Sequence, residues 1–135
     1  MKMNTLKIGQ HCPVHQGIYA GIARSFSGEP ESHIILLDAE SPNELMNWAD
    51  ATEWAKNLGE ATGLPTKHEA VLLECNLAEE LGDYGYVWTS TSKEARRAWH
   101  QLWYSSLPDF QSSDGKAGTL CVRAVKRLPV TYTTS

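Results

Sequence analysis

The first forty residues contain two apolar patterns that predict β-strands. In GIYAGIARS, residues 17–25, Ile18, Ala20 and Ile22 alternate with other positions and would share one face of an extended chain. HIILLD, residues 33–38, is a short continuous apolar run, which is typical of a strand covered on both faces. We therefore expect two neighbouring strands near the amino terminus.

NWADATEWAKNLG, residues 47–59, has the pattern of an amphipathic helix. Asn47 can accept hydrogen bonds from free amides at the helix start, and Gly59 is expected to provide a left-handed exit. The apolar stripe consists of Ala51, Trp54, Ala55 and Leu58.

LPTKHEAVLLECNLAEEL, residues 64–81, predicts a second helix. Thr66 followed three residues later by Glu69 is a capping box, in which each residue bonds the backbone amide of the other. The positions expected to face the core are Ala70, Leu73, Leu77 and Leu81.

Beyond residue 85 the apolar period changes to two. YVWTST, AWHQLWY and GTLCVRAVKRL predict three strands, and the polar stretch SSLPDFQSSDGKA predicts a long loop before the last one. The order of elements predicts an α+β fold with two helices packed on a mainly antiparallel sheet. We expect an amino-terminal arm at 1–15, one domain at 16–129 and a tail at 130–135.

Composition agrees with one soluble domain, since 41% of the 135 residues are hydrophobic and 21% are charged. The net charge of −4 argues against non-specific binding to nucleic acids or anionic membranes. Charge is unevenly distributed: residues 1–85 sum to −8 and residues 86–135 to +4. No signal peptide or membrane-length apolar run is visible, and three scattered cysteines form no disulfide framework. We expect synthesis and folding in a cytoplasm, with a place in an assembled particle left open.

Three motifs have a chemical and a structural interpretation. Ser90-x-x-Lys93 matches one element of serine β-lactamases, but the Lys-Thr-Gly and Ser-Asp-Asn elements are absent, so a structural role is favoured. HCPVH brings together His11, Cys12 and His15, yet no second ligand pair follows, and no metal or cofactor is predicted. Arg123 lies in an apolar strand, and we expect a carboxylate of the second helix to pair with it.

Basic residues near Trp99, Trp103 and Tyr104 would suit a single-stranded nucleic-acid surface. The acidic first part of the chain opposes that interpretation, because phosphate binding needs concentrated positive charge. We predict no nucleic-acid partner and no membrane partner, and we expect Trp88 and Trp99 to be core residues.

The segments LPTKHEAVLL, VWTSTSKEARRAW and VRAVKR together resemble a bacterial and phage domain family. That family includes the carboxy-terminal domain of collagen-like bacterial adhesins and many short phage and prophage proteins. The resemblance covers roughly residues 16–129 and implies a C-type-lectin-like fold. The chain departs from the family pattern at Gly63, where family members have arginine. The resemblance implies structural roles for Leu64, Pro65, Thr66, Glu69, Trp88, Ser90, Ala98, Trp99, Val122, Arg123 and Val125.

The resemblance favours a non-enzymatic phage or prophage binding protein, either a virion or tail component that contacts a host surface or another structural protein. The partner would be a protein or a surface glycan, with homo-oligomerisation or virion assembly left open. A small intracellular inhibitor of a host defence or metabolic protein is the alternative, and an enzyme ranks third. The expected contact surface consists of Trp103, Tyr104, Asp109, Phe110, Gln111, Asp114 and Lys116.

Overall fold

A computed structural model describes residues 7–23, 31–43, 45–81, 85–94, 97–103, 111–115 and 119–130. For 85–86, 92–94, 97–103, 111–115 and 119 it describes the backbone alone. The described strands are β1 His11–Cys12, β2 Gly17–Ala23, β3 Ser32–Leu37, β4 Met46–Asn47, β5 Thr62–Gly63, β6 Gly85–Glu94, β7 Arg97–Trp103, β8 Gln111–Gly115, β9 Thr119–Leu120 and β10 Val125–Pro129. The described helices are α1 Trp48–Lys56 and α2 Lys67–Leu81, and a 3₁₀ turn spans Pro13–His15.

The described strands form three antiparallel sheets. A five-stranded sheet has the order β1-β2-β3-β10-β5, a two-stranded sheet joins β4 to β9, and a three-stranded sheet has the order β6-β7-β8. One parallel bridge, between Val87 and Cys121, connects β6 to the segment after β9. The α+β class with two helices and a mainly antiparallel sheet is therefore confirmed for the described residues.

Strand β3 separates two hydrophobic clusters, because its side chains alternate between the faces of the sheet. Ile35 and Leu37 pack in one cluster with Trp88 and α1, whereas Ile34 and Leu36 pack in the other with α2. The two helices thus cover opposite faces of the five-stranded sheet. The prediction of a strand buried on both sides is confirmed, since every β3 residue after Ser32 is buried.

Strand β2 contains a bulge that its sequence pattern did not indicate. The pairing with β3 shifts between Tyr19 and Gly21, so Ala20 is the extra residue. Gly21 has φ +115°, a conformation that suits glycine. Because one inserted residue reverses the facing of all later side chains, Ile22 leaves the face of Ile18 and is exposed. The expected common face of Ile18, Ala20 and Ile22 is therefore wrong at its last member.

Both helices begin as predicted. Asn47 Oδ1 accepts the backbone N–H of Asp50 at 2.8 Å. In α2 the Thr66 N–H donates to Glu69 Oε1 at 2.7 Å, and the Glu69 N–H donates to Thr66 Oγ1 at 3.1 Å. The four predicted core positions of α2 are all buried, namely Ala70, Leu73, Leu77 and Leu81.

The end of α1 differs from the prediction. Gly59 does not adopt the left-handed conformation; Ala61 does, with φ 60°. The Thr62 hydroxyl donates to the carbonyl oxygen of Ala55 at 2.8 Å and accepts the Gly59 N–H at 3.1 Å, so a side chain rather than glycine closes this end. Leu58, predicted on the apolar stripe, is 38% exposed because the helix has already ended at Lys56.

Two predictions for the last fifty residues are wrong. Gln111–Gly115, expected within a loop, forms β8 and pairs with β7. GTLCVRAVKRL, expected as one strand, divides into β9 and β10, with 122–124 between them outside any strand. Val122 and Ala124 are fully buried there, so an apolar pattern that would suit a strand instead fills the core between two sheets.

Candidate functional site

The predicted contact surface is only partly described by the structure. The pairing of Gln101 with Gln111 places the Trp103 end of β7 beside the start of β8. Asp114 pairs with Ala98, three residues further along β8, which is about 10 Å away at strand spacing. Tyr104, Asp109, Phe110 and Lys116 lie outside the described residues, so the assignment of this surface stays a prediction.

The hydroxyl-rich part of β6 bonds the fold together. Lys67 N–H donates to Thr91 Oγ1 at 2.9 Å, and the Ser90 N–H donates to the carbonyl oxygen of Pro65 at 2.8 Å. The Thr89 carbonyl oxygen accepts the indole N–H of Trp48 at 2.9 Å. Ser90 makes its bond to Pro65 through its backbone amide, so the structural role of its hydroxyl stays a prediction, and the side chain of Lys93 is outside the described part.

The three candidate ligands of HCPVH have different environments. Cys12 is buried in the core, and burial raises the pKa of its thiol. His11 is exposed and its Nε2 lies 2.7 Å from Asp38 Oδ2. His15 lines a cleft to which Asp38, the partner of His11, also contributes. Among the residues that the structure describes, no three His, Cys, Asp or Glu side chains group closely enough to hold a metal ion.

That cleft has a volume of about 430 Å³ and is open to solvent. Its lining residues come from 14–16, 37–39 and 58–60, together with Thr62 and Lys126. Its rim exposes two aliphatic side chains, Val14 at 76% and Leu58 at 38%. A volume of several hundred Å³ is within the range of small-ligand sites, so the cleft can accommodate a side chain or a small molecule.

The cleft contains charges of both signs. Asp38 and Glu60 contribute carboxylates and Lys126 contributes an ammonium group. Burial, followed by the nearby charge of Lys126, lowers the pKa of His15, so its imidazole is neutral at neutral pH. The Nδ1 atom of His15 is enclosed and makes no hydrogen bond to any described residue.

Two strained backbone positions flank the same cleft. Gln16 has φ 55° and Ala61 has φ 60°, and they are the two non-glycine residues with positive φ in the described chain. The left-handed conformation costs roughly 1–2 kcal/mol for an ordinary residue. Gln16 is held there by its own N–H, which donates to Pro13, and by its carbonyl oxygen, which accepts the Asp38 N–H at 2.8 Å. Such strain occurs often at functional sites, which favours the cleft as one.

Sequence reasoning did not identify this cleft. Its lining residues come from four separated segments, and none of these segments contains a recognisable motif. His15 was noticed only as a candidate zinc ligand. The positive φ angles that mark the site are not visible in the residue types, since glutamine and alanine rarely adopt them.

Arg127 pairs with the second helix. Its Nε and Nη2 donate to Glu69 Oε2 and Oε1, both at 2.7 Å, and Nη2 also donates to the Leu64 carbonyl oxygen at 2.8 Å. Arg123 Nη2 instead donates to the carbonyl oxygen of Leu37 at 2.8 Å. Arg127 lies in β10 beside the start of α2, whereas the expected pairing of Arg123 with this helix stays a prediction.

Neither described helix has the length and apolar content needed to span a membrane. No protein-family model matches the chain, and no curated protein has significant sequence similarity to it.

Proposed function

We propose that the protein is a non-enzymatic binding protein encoded by a phage or prophage, with a C-type-lectin-like fold. In this proposal it is made in the bacterial host cytoplasm and serves as a virion or tail-associated component. It contacts a host surface or another structural protein, and the ligand is a protein or a surface glycan.

The observation that carries the proposal is the use of the family-like motifs for packing. Leu64, Trp88 and Val122 are buried, and the indole N–H of Trp88 donates to the Met46 carbonyl oxygen at 2.9 Å. The carboxylate of Glu69 bonds both the Thr66 amide and the Arg127 guanidinium. The polar groups of Glu69 and Arg127 are thus used to hold the described fold together, which supports a packing role for these motifs.

The departure at Gly63 is compatible with this proposal. A Cβ atom at Gly63 would lie 3.3 Å from Nη1 of Arg127, so the guanidinium of Arg127 already fills the space beside this residue. In the proposed fold, Arg127 therefore supplies the positive charge that relatives carry before Leu-Pro-Thr.

Affinity purification of the tagged protein from infected cells, with mass spectrometry of purified particles, tests the proposal. We expect the chain in particles together with a specific partner. Trp103→Ala and Phe110→Ala should abolish capture of that partner with the fold intact. Leu45→Ala, which changes an exposed aliphatic residue elsewhere, should leave capture unchanged.

Absence of the chain from particles, together with capture of a host enzyme, would instead support the intracellular inhibitor. Loss of a catalysed reaction on a single polar substitution would contradict both binding hypotheses. Retained capture by the Trp103 and Phe110 variants would show that recognition lies on another surface.

A further inference from the structure

We propose that the cleft between the 3₁₀ turn, the segment after β3 and the loop after α1 binds a lysine or arginine side chain presented by a protein partner. This inference rests on the proposed binding function and names the chemistry of one contact.

The charged groups that line the cleft favour a cationic ligand. Glu60 forms no ion pair with any described residue, and Asp38 uses one carboxylate oxygen for His11. Lys126 supplies one opposing charge, so two carboxylates and one ammonium group leave a single net negative charge. One cationic side chain would neutralise it.

The wider distribution of charge favours a basic partner. All lining residues except Lys126 belong to residues 1–85, whose net charge is −8. A net negative charge favours encounter with cationic groups over phosphates and acidic peptides.

The apolar rim suits the stem of a long basic side chain. Val14 and Leu58 expose aliphatic surface at the cleft. Lysine and arginine pack their methylene groups along such surface while their charged heads reach polar groups. His15 adds a neutral imidazole to the lining, and a neutral imidazole carries one ring nitrogen that can accept a hydrogen bond from a cationic donor.

A titration of the ¹⁵N-labelled full chain followed by NMR tests this inference. The probe is an acetylated, amidated Gly-Arg-Gly peptide, and its control contains citrulline, which has nearly the same shape without the charge. We expect saturable shifts of the amides of Val14, Gln16 and Gly59 with the arginine peptide and a much smaller response with the citrulline peptide. A Gly-Lys-Gly probe should act on the same amides.

Three variants should change the affinity for the arginine peptide in the directions that the proposed charge pattern predicts. Glu60→Gln should weaken arginine-peptide binding about two- to five-fold, the range expected for a partly exposed ion pair. Lys126→Gln should strengthen it by a similar factor, because a like charge is removed. Glu53→Gln, an exposed glutamate of α1 outside the cleft lining, should leave the affinity unchanged.

Equal binding of the citrulline peptide, or tighter binding of maltose or of a Gly-Glu-Gly peptide, would overturn the inference. The same conclusion follows if Glu60→Gln binds normally while its amide spectrum shows the native fold. The two proposals fail separately. A partner captured equally well by Glu60→Gln would refute the role of the cleft alone, and arginine-peptide binding without any captured partner would refute the proposed function alone.

Discussion

Trp88 connects two parts of the fold, because its ring is fully buried and its N–H donates to the Met46 carbonyl oxygen. We expect Trp88→Phe to lower the free energy of unfolding by about 2–3 kcal/mol, through lost packing volume and an unsatisfied carbonyl group. Trp48→Phe, at a half-buried position where the indole N–H donates to the Thr89 carbonyl oxygen, should cost less. Urea denaturation checks both values. Equal losses would indicate that burial of Trp88 adds nothing beyond its hydrogen bond.

The environment of His33 leads us to expect that the free energy of unfolding falls in acid. Its Nδ1 lies 2.8 Å from the Tyr19 hydroxyl in a buried environment, and burial lowers the pKa of His33 below the ordinary 6.5. The unfolded chain therefore binds more protons as pH falls below 6.5, and stability present above that value is lost towards the lowered folded pKa. The slope for one group is at most about 1.4 kcal/mol per pH unit.

Denaturation midpoints measured from pH 7.5 to pH 5 check this prediction. We expect His33→Gln to reduce the loss of stability with falling pH. A smaller loss of the same sign should remain, because burial and the charge of Lys126 also lower the pKa of His15. An unchanged slope in His33→Gln would mean that His33 is protonated without cost to the fold.

The two arginines of the last segment show what residue types alone could predict. The sequence predicted a buried pair between Arg123 and a carboxylate of the second helix, and the pair that the structure describes joins Glu69 to Arg127. The sequence could not indicate which arginine, because the strand prediction ran unbroken through 118–128. The break at 122–124 makes Arg127 the residue of β10 that faces Glu69.

At the scale of elements, the Glu69–Arg127 pair joins α2 to β10. The side chain of Glu69 is 7% exposed and that of Arg127 is 29% exposed, so the pair is partly desolvated. We expect Glu69→Gln and Arg127→Met each to cost about 2–4 kcal/mol, since each leaves a poorly solvated charge without its partner. The double variant should cost clearly less than the sum of the two. Additive losses in a double-mutant cycle, measured by urea denaturation, would contradict a direct interaction.

The start of α1 provides a second test at this scale. Asn47→Ala removes the acceptor for the Asp50 N–H and should cost about 1 kcal/mol. Asn57→Ala is the matched control, because Asn57 closes the other end of α1 through its backbone N–H. We expect a shift in the thermal midpoint for the first variant only. Equal shifts would show that general helix propensity, rather than capping, decides the result.

Helices were predicted better than strands for a physical reason. The capping side chains of α1 and α2 act within four residues, so local sequence contains the information. Strand β2 depends on a bulge at Ala20, where Asn76 of α2 donates to the carbonyl oxygen at 2.8 Å. The alternation of apolar residues along a strand cannot indicate a bond between residues 56 positions apart.

At the scale of the whole molecule, β3 lies at the centre of the core and the cleft lies at the edge. The continuous apolar run of β3 predicted its burial on both faces. The cleft joins four segments distant in sequence, and it exists because β10 places Lys126 near the 3₁₀ turn and the loop after α1. Sites assembled in this way depend on sheet order, which a single sequence does not specify.

The boundary proposed at residue 16 leads to a prediction about the whole domain. Strand β1 pairs with β2, and Cys12 packs in the core. The Gly9 N–H donates to the Tyr19 carbonyl oxygen at 2.8 Å, and the Tyr19 N–H donates to the Gln10 carbonyl oxygen at 3.0 Å. We expect deletion of 1–15 to cost roughly 2–4 kcal/mol, through lost burial of Cys12 and lost sheet bonds.

His11→Ala in the full chain is the control for this deletion, because it removes only the exposed contact with Asp38 and should cost under about 1 kcal/mol. Urea denaturation of the two proteins separates the surface pair from the strand. If the deleted protein keeps its denaturation midpoint, residues 16–129 form the folding unit and β1 only lies against it. If it loses stability as expected, the folding unit includes β1 and the 3₁₀ turn that contributes Val14 and His15 to the cleft.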